Sequence, residues 1–209
     1  MLRLRVDPDR PADDELMPAV RAIQRGGIVA FPTDTFYGLA VDPRSSAAVR
    51  KIFEVKHRPA DQPIPLIAES LSQVAARVGT LTPLAERLAS KYWPGPLTLI
   101  IVASSELCAE VTRGTGTAAV RVPDHRVARA LAGAVGHAMT STSANLSGFA
   151  PLSSPDEVAA SLGDAIDVLV DAGSAPGGMA STIINATGTD PILVRAGAVP
   201  WERVLKFLG

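Results

Sequence analysis

The sequence predicts an α/β fold (of the α+β type) with a mixed sheet. Stretches with the helical spacing of apolar residues alternate along the chain with short apolar runs, and this alternation is typical of layered α/β folds. Several apolar runs follow one another too closely for a crossover helix, so we expect some antiparallel strand pairs. No linker, repeat or low-complexity tract interrupts the 209 residues, which predicts a single domain over residues 1–209.

The first half of the chain begins with an alternating strand and a helix. Apolar residues recur at helical spacing from Asp13 to Arg25, and Gly26-Gly27 ends that helix. Ser45 or Ser46 can cap a second helix with its hydroxyl, and Thr82-Pro83 opens a third, because proline is tolerated in the first turn. The predicted strands are 2–6, 28–31, 64–68 and 97–103, and the predicted helices are 13–25, 45–55 and 82–92.

The second half contains a clear helix start. Ser154-Pro155-Asp156-Glu157 has the spacing of a capping box, in which the serine and the glutamate each bond a backbone N–H of the first turn. The predicted strands are 118–122, 138–141, 167–170, 182–185 and 192–195, and the predicted helices are 124–135, 154–162 and 201–208.

Composition limits the function classes. Hydrophobic residues make up 47% of the chain, which is enough for a large core, and the net charge is -1. A nucleic acid could therefore bind only through a local basic patch. Cys108 is the one cysteine, which excludes an intrachain disulfide. No signal peptide or membrane span is evident, so we expect a cytoplasmic protein.

The common catalytic motifs are absent from the sequence. It contains no G-x-x-x-x-G-K-[ST] phosphate loop, no G-x-G-x-x-G after a strand and no G-x-S-x-G nucleophile motif. The three histidines lie far apart, at 57, 125 and 137, which makes a zinc site improbable.

Polar residues cluster after predicted strands, where open α/β sheets bind ligands. The segments 32–39 (PTDTFYGL) and 140–148 (TSTSANLSG) fit either hydrogen-bonding walls around a small polar ligand or ordinary turns. Ser141, Ser143 and Asn145 share one face if their stretch is extended. The glycine-rich loop 173–182 fits either close backbone approach to an anion or a plain surface loop.

Four cations are candidates for anion contacts. Lys56 and Arg58 are separated by one residue, and Pro59 favours an extended backbone at Arg58; a stiff Lys/Arg pair suits a polyphosphate, although cations also favour a helix C-terminus. Arg121 is isolated in an apolar strand and needs an anionic partner, either a ligand carboxylate or a neighbouring aspartate. Arg195 repeats that pattern.

These segments resemble the YrdC/Sua5 family of L-threonylcarbamoyladenylate synthases. The similarity runs in order along about residues 12–200. It rests on these stretches: GGIVAFPTDTFYGLAVD (26–42), KIFEVKHRPADQPIPLI (51–67), WPGPLTLII (93–101), AAVRVPDH (118–125), TSANLSG (142–148), DAG…GGMASTI (171–183) and ILVRAGAV (192–199).

The resemblance implies a three-layer, YrdC/RibB-like fold with a twisted mixed parallel/antiparallel sheet and a cationic cavity. It also implies a nucleotidyltransferase that forms threonylcarbamoyl-AMP and pyrophosphate from L-threonine, bicarbonate and ATP, with Mg²⁺ carried by ATP and no metal ligand from protein side chains. The product would serve the t6A37 modification of tRNA, through a separate threonylcarbamoyl transferase complex.

The resemblance also implies site residues. The threonine contacts would be Thr35, Arg121, Ser141 and Ser181. The ATP contacts would be Lys56, Arg58, Gln62, Thr117, Ser143, Asn145 and Arg195, with Lys56 and Arg58 the catalytic pair, acting by positioning and charge stabilisation.

This chain departs from the family pattern in two places. Many members carry a histidine where Ile67 stands, and longer members carry an extra C-terminal domain, so we expect the short type here. The rival functions are a module that binds double-stranded RNA or tRNA and a paralogue without synthase activity.

Overall fold

The computed structural model describes residues 1–57 and 63–209. Its helices are α1 (Asp13–Gln24), α2 (Ser46–Val55), α3 (Leu71–Arg77), α4 (Pro83–Tyr92), α5 (Ala109–Thr112), α6 (Arg126–Val135), α7 (Pro155–Leu162) and α8 (Trp201–Leu208), with a 3-10 turn at Gly163–Ala165. Its strands are β1 (Leu2–Arg5), β2 (Val29–Phe31), β3 (Gly38–Ala40), β4 (Leu66–Ile67), β5 (Gly79–Thr80), β6 (Leu97–Ala103), β7 (Thr117–Arg121), β8 (Met139–Thr140), β9 (Thr142–Ser143), β10 (Val168–Asp171), β11 (Thr182–Asn185) and β12 (Ile192–Arg195).

Three predicted helix starts are confirmed by their hydrogen bonds, whereas the helix predicted from Asp124 begins at Arg126, with His125 as its cap. The side chains of Ser45 and Thr82 accept from Ala48 N–H and Ala85 N–H at 3.3 and 3.1 Å. The predicted capping box at α7 is present. Ser154 Oγ accepts from Asp156 N–H, and Glu157 Oε2 accepts from Ser154 N–H, each at 3.2 Å. Local side-chain chemistry therefore fixes where these helices begin.

The described strands form two mixed sheets. The first has the order β1-β10-β2-β3-β9, in which β1, β10 and β2 are parallel and β3 and β9 are antiparallel to their neighbours. The second has the order β12-β11-β6-β7-β4-β8, and β5 pairs with β6. The predicted mixed α/β fold is confirmed, with the strands shared between two sheets where one was expected.

The chain passes from one sheet to the other at residues 139–143. β8 pairs with β4 of the second sheet, and β9 pairs with β3 of the first. Thr140 is fully buried here, and its hydroxyl accepts from Val41 N–H at 2.9 Å and donates to the Leu39 carbonyl at 3.1 Å. Ser141, between the two strands, therefore lies at the junction of the sheets.

Two apolar clusters fill the interior. The larger one packs α2, α4 and the second sheet together, and includes Ile52, Leu88 and Leu99. The other packs α1 and α6 against the first sheet, and Ile67 belongs to it. No helix among residues 1–57 and 63–209 is long and apolar enough to cross a membrane.

Candidate active site

A cavity of about 490 Å³ opens between the two sheets. Strand ends and the loops that follow them supply its walls. Six of the residues proposed from the sequence line it: Thr35, Arg121, Ser141, Ser143, Ser181 and Arg195. Residues distant in sequence therefore meet at one site, as the polar clusters after the strands predicted.

Arg121 is the buried cation of this cavity. Arg121 is 7% exposed. One terminal nitrogen ion-pairs with Asp34 Oδ1, and the other donates to Thr33 Oγ1 and Thr35 Oγ1, each at 3.2 Å. A guanidinium has five N–H donors, so donors remain for a ligand carboxylate. The neighbouring aspartate that the sequence left open as a partner is thus present.

The PTDTFYGL segment is ordered by its own hydroxyls. Thr33 Oγ1 accepts from Thr35 N–H at 3.1 Å and donates to the Phe36 carbonyl at 2.7 Å. Tyr37 is fully buried and donates to the Gly173 carbonyl at 2.7 Å. Burial raises the pKa of Tyr37, because the phenolate would lose its hydration. The wall of hydroxyls around Arg121 is therefore rigidly held.

The glycine-rich loop 173–182 lies against that segment. Gly177 N–H donates to the Thr35 carbonyl at 2.7 Å. The φ angles of Gly173, Gly177 and Gly178 are 81°, 73° and 91°, in the left-handed region that glycine adopts at little cost. Glycine therefore stands at the positions where this loop needs a positive φ.

A second cation of the cavity is Arg195, which lies on β12 of the second sheet, whereas Arg121 lies on β7 of the same sheet. Arg195 donates from Nη2 to the Ser181 carbonyl at 2.7 Å and to Ser181 Oγ at 3.1 Å. Partial burial of its guanidinium, and then the positive charge of Arg121, lower the pKa of Arg195. Two arginines that repel each other define a site for an anion.

Lys56 and Asn145 form a support behind the cavity wall. Both are buried, at 3% and 6% exposure, and neither lines the cavity. The Lys56 ammonium donates to the Ser143 carbonyl and, at 2.6 Å, to the Asn145 carbonyl. Asn145 Nδ2 donates to the Phe149 carbonyl at 2.6 Å. These bonds fix the turn that presents Ser143, and both residues stay predictions as ATP contacts.

Three other residues stay predictions as ATP contacts: Thr117, Arg58 and Gln62. Thr117 begins β7 at the opposite end from Arg121, and its hydroxyl bonds Thr115 Oγ1 at 2.8 Å. Arg58 and Gln62 lie outside the described residues. Within the described residues, no group of three or more His, Cys, Asp or Glu side chains could hold a metal ion.

Two polar residues of the site were not named individually from the sequence: Thr98, inside a predicted strand, and Asp34, inside the predicted polar segment 32–39. Thr98 is 1% exposed, lines the cavity and shares a 2.8 Å hydrogen bond with Ser181 Oγ. Asp34 lies behind Arg121, and its Oδ2 is buried without a hydrogen-bond partner in the described part of the chain. A threonine inside the apolar run Leu97–Ala103 was the available signal for Thr98, because strands bury such positions on both faces.

Fold and cavity together define an α/β protein with two mixed sheets and, between them, a cavity lined by arginines and hydroxyls. The family model described as "Telomere recombination" (Sua5/YciO/YrdC) matches residues 21–197. The chain belongs to this family.

Relatives of known name agree with that assignment. The chain is 37% identical to the threonylcarbamoyl-AMP synthase of Pyrococcus abyssi over 90% of its length and 35% identical to that of Bacillus subtilis over 94%. It covers 55% and 57% of those two proteins, so it spans little more than half the length of these curated relatives. The crystal structure of P. abyssi Sua5 complexed with L-threonine superposes with a TM-score of 0.93 at 35% identity, over 100% of this chain and 61% of that one.

Proposed function

We propose that the protein is an L-threonylcarbamoyladenylate synthase. The observation that carries this proposal is Arg121, a buried arginine held among hydroxyls in a cavity between the sheets, in a chain similar to threonylcarbamoyl-AMP synthases. The reaction joins L-threonine, bicarbonate and ATP and releases threonylcarbamoyl-AMP, pyrophosphate and water.

The site would act mainly by positioning. The threonine carboxylate would accept hydrogen bonds from Arg121, with Thr35, Ser141 and Ser181 around the rest of the amino acid. The amine bonds the carbon of bicarbonate, and one bicarbonate oxygen leaves as water with a proton from the amine. A carboxylate oxygen of the resulting carbamate then attacks the α-phosphorus while the bond to pyrophosphate breaks. Holding both reactants in line removes much of the entropic cost.

Cations would stabilise the charge that develops on the phosphates. Arg195 lines the same cavity as Arg121, from β12 of the second sheet, while Lys56 and Ser143 shape another part of the wall. Arg58, Gln62, Thr117 and Asn145 remain proposed ATP contacts. Mg²⁺ would enter with ATP and neutralise the leaving pyrophosphate, and the donor set fits this, since the described site offers hydroxyls and cations and no carboxylate cluster.

The product is a reactive mixed anhydride, and we propose that a separate transferase complex moves its threonylcarbamoyl group to tRNA for the t6A37 modification. Direct tRNA or double-stranded RNA binding and a cytoplasmic location stay predictions.

The direct test is an assay with ATP, Mg²⁺, bicarbonate and labelled L-threonine. Pyrophosphate release that depends on threonine is the expected result. Absence of that pyrophosphate, together with tight binding of RNA, would favour the RNA-binding module and overturn the synthase.

A further inference from the structure

A second concave pocket, of about 430 Å³, lies at the other end of β2 from the cavity between the sheets. Gly27 precedes β2 and lines this pocket, whereas Thr33 follows β2 and lines the cavity. None of the described residues lines both. The second pocket is called the α1 pocket below, and its charged walls are formed by the side chains of Arg21, Arg25, Lys51 and Asp167.

The α1 pocket concentrates positive charge. Arg21 and Arg25 are one turn apart at the end of α1, and Lys51 belongs to α2. Asp167 is the one carboxylate among the described residues that line the pocket. Cations therefore outnumber carboxylates here, although the whole chain has a net charge of -1. A concave surface with one sign of charge raises the local concentration of ions of the opposite sign, so the pocket favours an anion.

The cations of the α1 pocket have hydrogen-bond donors that are not used. Within residues 1–57 and 63–209, the side chains of Arg21 and Arg25 take part in no hydrogen bond or ion pair. Lys51 Nζ donates to the Gly26 carbonyl at 2.7 Å, which uses one of its three donors. Guanidinium groups bind the oxygens of phosphate through paired N–H donors. An oxyanion can therefore bind to these arginines without breaking an existing ion pair.

Asp167 is held in a defined position beside these cations. Its Oδ2 accepts a hydrogen bond from Ile28 N–H at 2.7 Å. The carboxylate lies against Gly27, where a Cβ atom would come within 2.8 Å of Asp167 Oδ2. Gly27 N–H in turn donates to the Ala22 carbonyl at 2.8 Å, which fixes the turn after α1. The pocket thus combines three cations with one carboxylate whose place the backbone determines.

This carboxylate distinguishes between oxyanions. An ionised carboxylate accepts hydrogen bonds and donates none, so it repels sulfate or a phosphodiester, whose oxygens are all acceptors. Above neutral pH inorganic phosphate is mainly HPO₄²⁻, which has the charge of sulfate and nearly its size, and which keeps one P–OH proton. That proton can be donated to Asp167 while the other oxygens accept from Arg21 and Arg25. Repulsion of the wrong anion is a common source of specificity.

We propose that the α1 pocket binds inorganic phosphate, or a small phosphate compound that keeps a hydrogen-bond donor, and that Asp167 selects it over sulfate. Arg21 and Arg25 bind the anionic oxygens, and Lys51 adds its charge from α2. The inference is independent of the synthase proposal, because no residue of the α1 pocket contributes to the cavity between the sheets.

The test is an NMR titration of the full chain with sodium phosphate and, separately, sodium sulfate at pH 8 and constant ionic strength. The amide signals of Gly27 and Ile28 report on the α1 pocket, and those of Thr35 and Ser181 report on the cavity. We expect phosphate to shift the Gly27 and Ile28 signals to saturation, with a Kd at least about tenfold lower than that of sulfate.

Two sets of variants separate the roles of the residues. Arg21→Gln combined with Arg25→Gln should raise the Kd for phosphate by at least about tenfold. Arg77→Gln is the matched control, because Arg77 is exposed in the last turn of α3 and lines neither pocket; its Kd should equal that of the wild-type protein. Asp167→Asn keeps an acceptor for Ile28 N–H and removes the charge, so the two Kd values should come within about threefold of each other.

Amide signals elsewhere in each spectrum show whether a variant is folded. Shifts of Gly27 and Ile28 that are linear in concentration and equal for both salts would overturn the inference, as would an equal loss of affinity in Arg77→Gln. An unchanged preference for phosphate in Asp167→Asn would refute the role of that carboxylate. A duplex RNA that saturates the same signals at lower concentration than phosphate would assign the pocket to a nucleic acid and contradict a site for a small phosphate.

Discussion

Arg121 illustrates how a single buried charge organises the site. Asp34, Thr33 and Thr35 hold its guanidinium on one edge, so its remaining donors point in fixed directions. Lysine keeps the positive charge and lacks the planar fork. We expect Arg121→Lys to raise the KM for L-threonine by at least about tenfold, equivalent to about 1.4 kcal/mol, and to leave the KM for ATP nearly unchanged.

Steady-state pyrophosphate release at varied threonine and at varied ATP measures both constants. Arg126→Lys is the control, because Arg126 is exposed and bonds the Asp9 carbonyl away from the cavity. An equal rise in both KM values would contradict the assignment of Arg121 to the threonine carboxylate.

Lys56 is a second residue whose burial makes a sharp prediction. Its ammonium bonds the carbonyls of Ser143 and Asn145, and Lys56→Met would leave those buried acceptors without this donor. Each such loss costs about 1–3 kcal/mol. We therefore expect a lower free energy of unfolding in urea, and also at least about a tenfold rise in the KM for ATP, because the wall that carries Ser143 would lose its support.

Lys51→Met is the control for Lys56→Met, because it removes a lysine that is exposed and not buried. Lys51 is exposed and also donates to a backbone carbonyl, that of Gly26, at 2.7 Å. A loss of stability as large in Lys51→Met as in Lys56→Met would show that burial of the ammonium is not the cause.

At the scale of one element, helix α6 carries a pH-sensitive cap. His125 Nδ1 accepts from Ala128 N–H at 3.4 Å. Burial is the main cause that lowers the pKa of His125. Charged neighbours act in both directions: Asp34 and Asp124 raise it, and Arg121 and Arg129 lower it. The folded protein therefore favours the neutral imidazole.

The direction of the pH effect follows from the lowered pKa. The unfolded chain binds a proton on His125 near pH 6.5, whereas the folded chain resists it, so the free energy of unfolding falls as the pH drops from about 6.5 through the lower folded pKa. His125→Asn keeps a capping oxygen and removes the titration. Urea unfolding at pH 8 and pH 5.5 should show a smaller drop in the free energy of unfolding for this variant than for the wild-type protein.

The matched control is His57→Gln, at an exposed position that retains His125. Its free energy of unfolding should drop between pH 8 and pH 5.5 by as much as that of the wild-type protein. If His125→Asn shows the full wild-type drop in the free energy of unfolding, the His125 cap is not the cause of that drop.

Elements with strong local signals were predictable, and elements made by pairing were not. The helices that begin at capped serines or threonines and the strand β6 agree with the sequence pattern. The sequence predicts a turn or a loop wall at 32–39, whereas Gly38–Ala40 forms the short strand β3 by pairing with β2. The short helices α3 and α5 escaped for a similar reason, since their stability comes from tertiary packing more than from propensity.

The candidate site divides in the same way. Chemistry that depends on residue type was evident, so the hydroxyls and arginines of the cavity were found. The placement of Asn145 could not be predicted, because the shared face of Ser141, Ser143 and Asn145 requires an extended chain. The chain turns after β9, and Asn145 bonds within that turn instead. A turn of this kind leaves no periodic signal in the sequence.

At the scale of the whole molecule, the cavity joins the two sheets. Gly38 and Ser143 belong to strands of the first sheet, whereas Thr98 and Arg121 belong to the second. A ligand bound to both sheets stabilises the folded molecule by mass action, about 2.7 kcal/mol at a hundredfold excess over Kd. For a chain of this length that free energy raises Tm by roughly 5–11 °C.

We therefore expect L-threonine at saturating concentration to raise the Tm of the wild-type protein by several degrees in a calorimetric scan. D-Threonine has the same charge and composition, so it controls for solvent effects, and it should give little shift because its amine and side chain exchange places. Arg121→Lys should need at least about tenfold more L-threonine for the same shift. Equal shifts with both enantiomers, or an unchanged response in Arg121→Lys, would contradict a threonine site at the junction of the sheets.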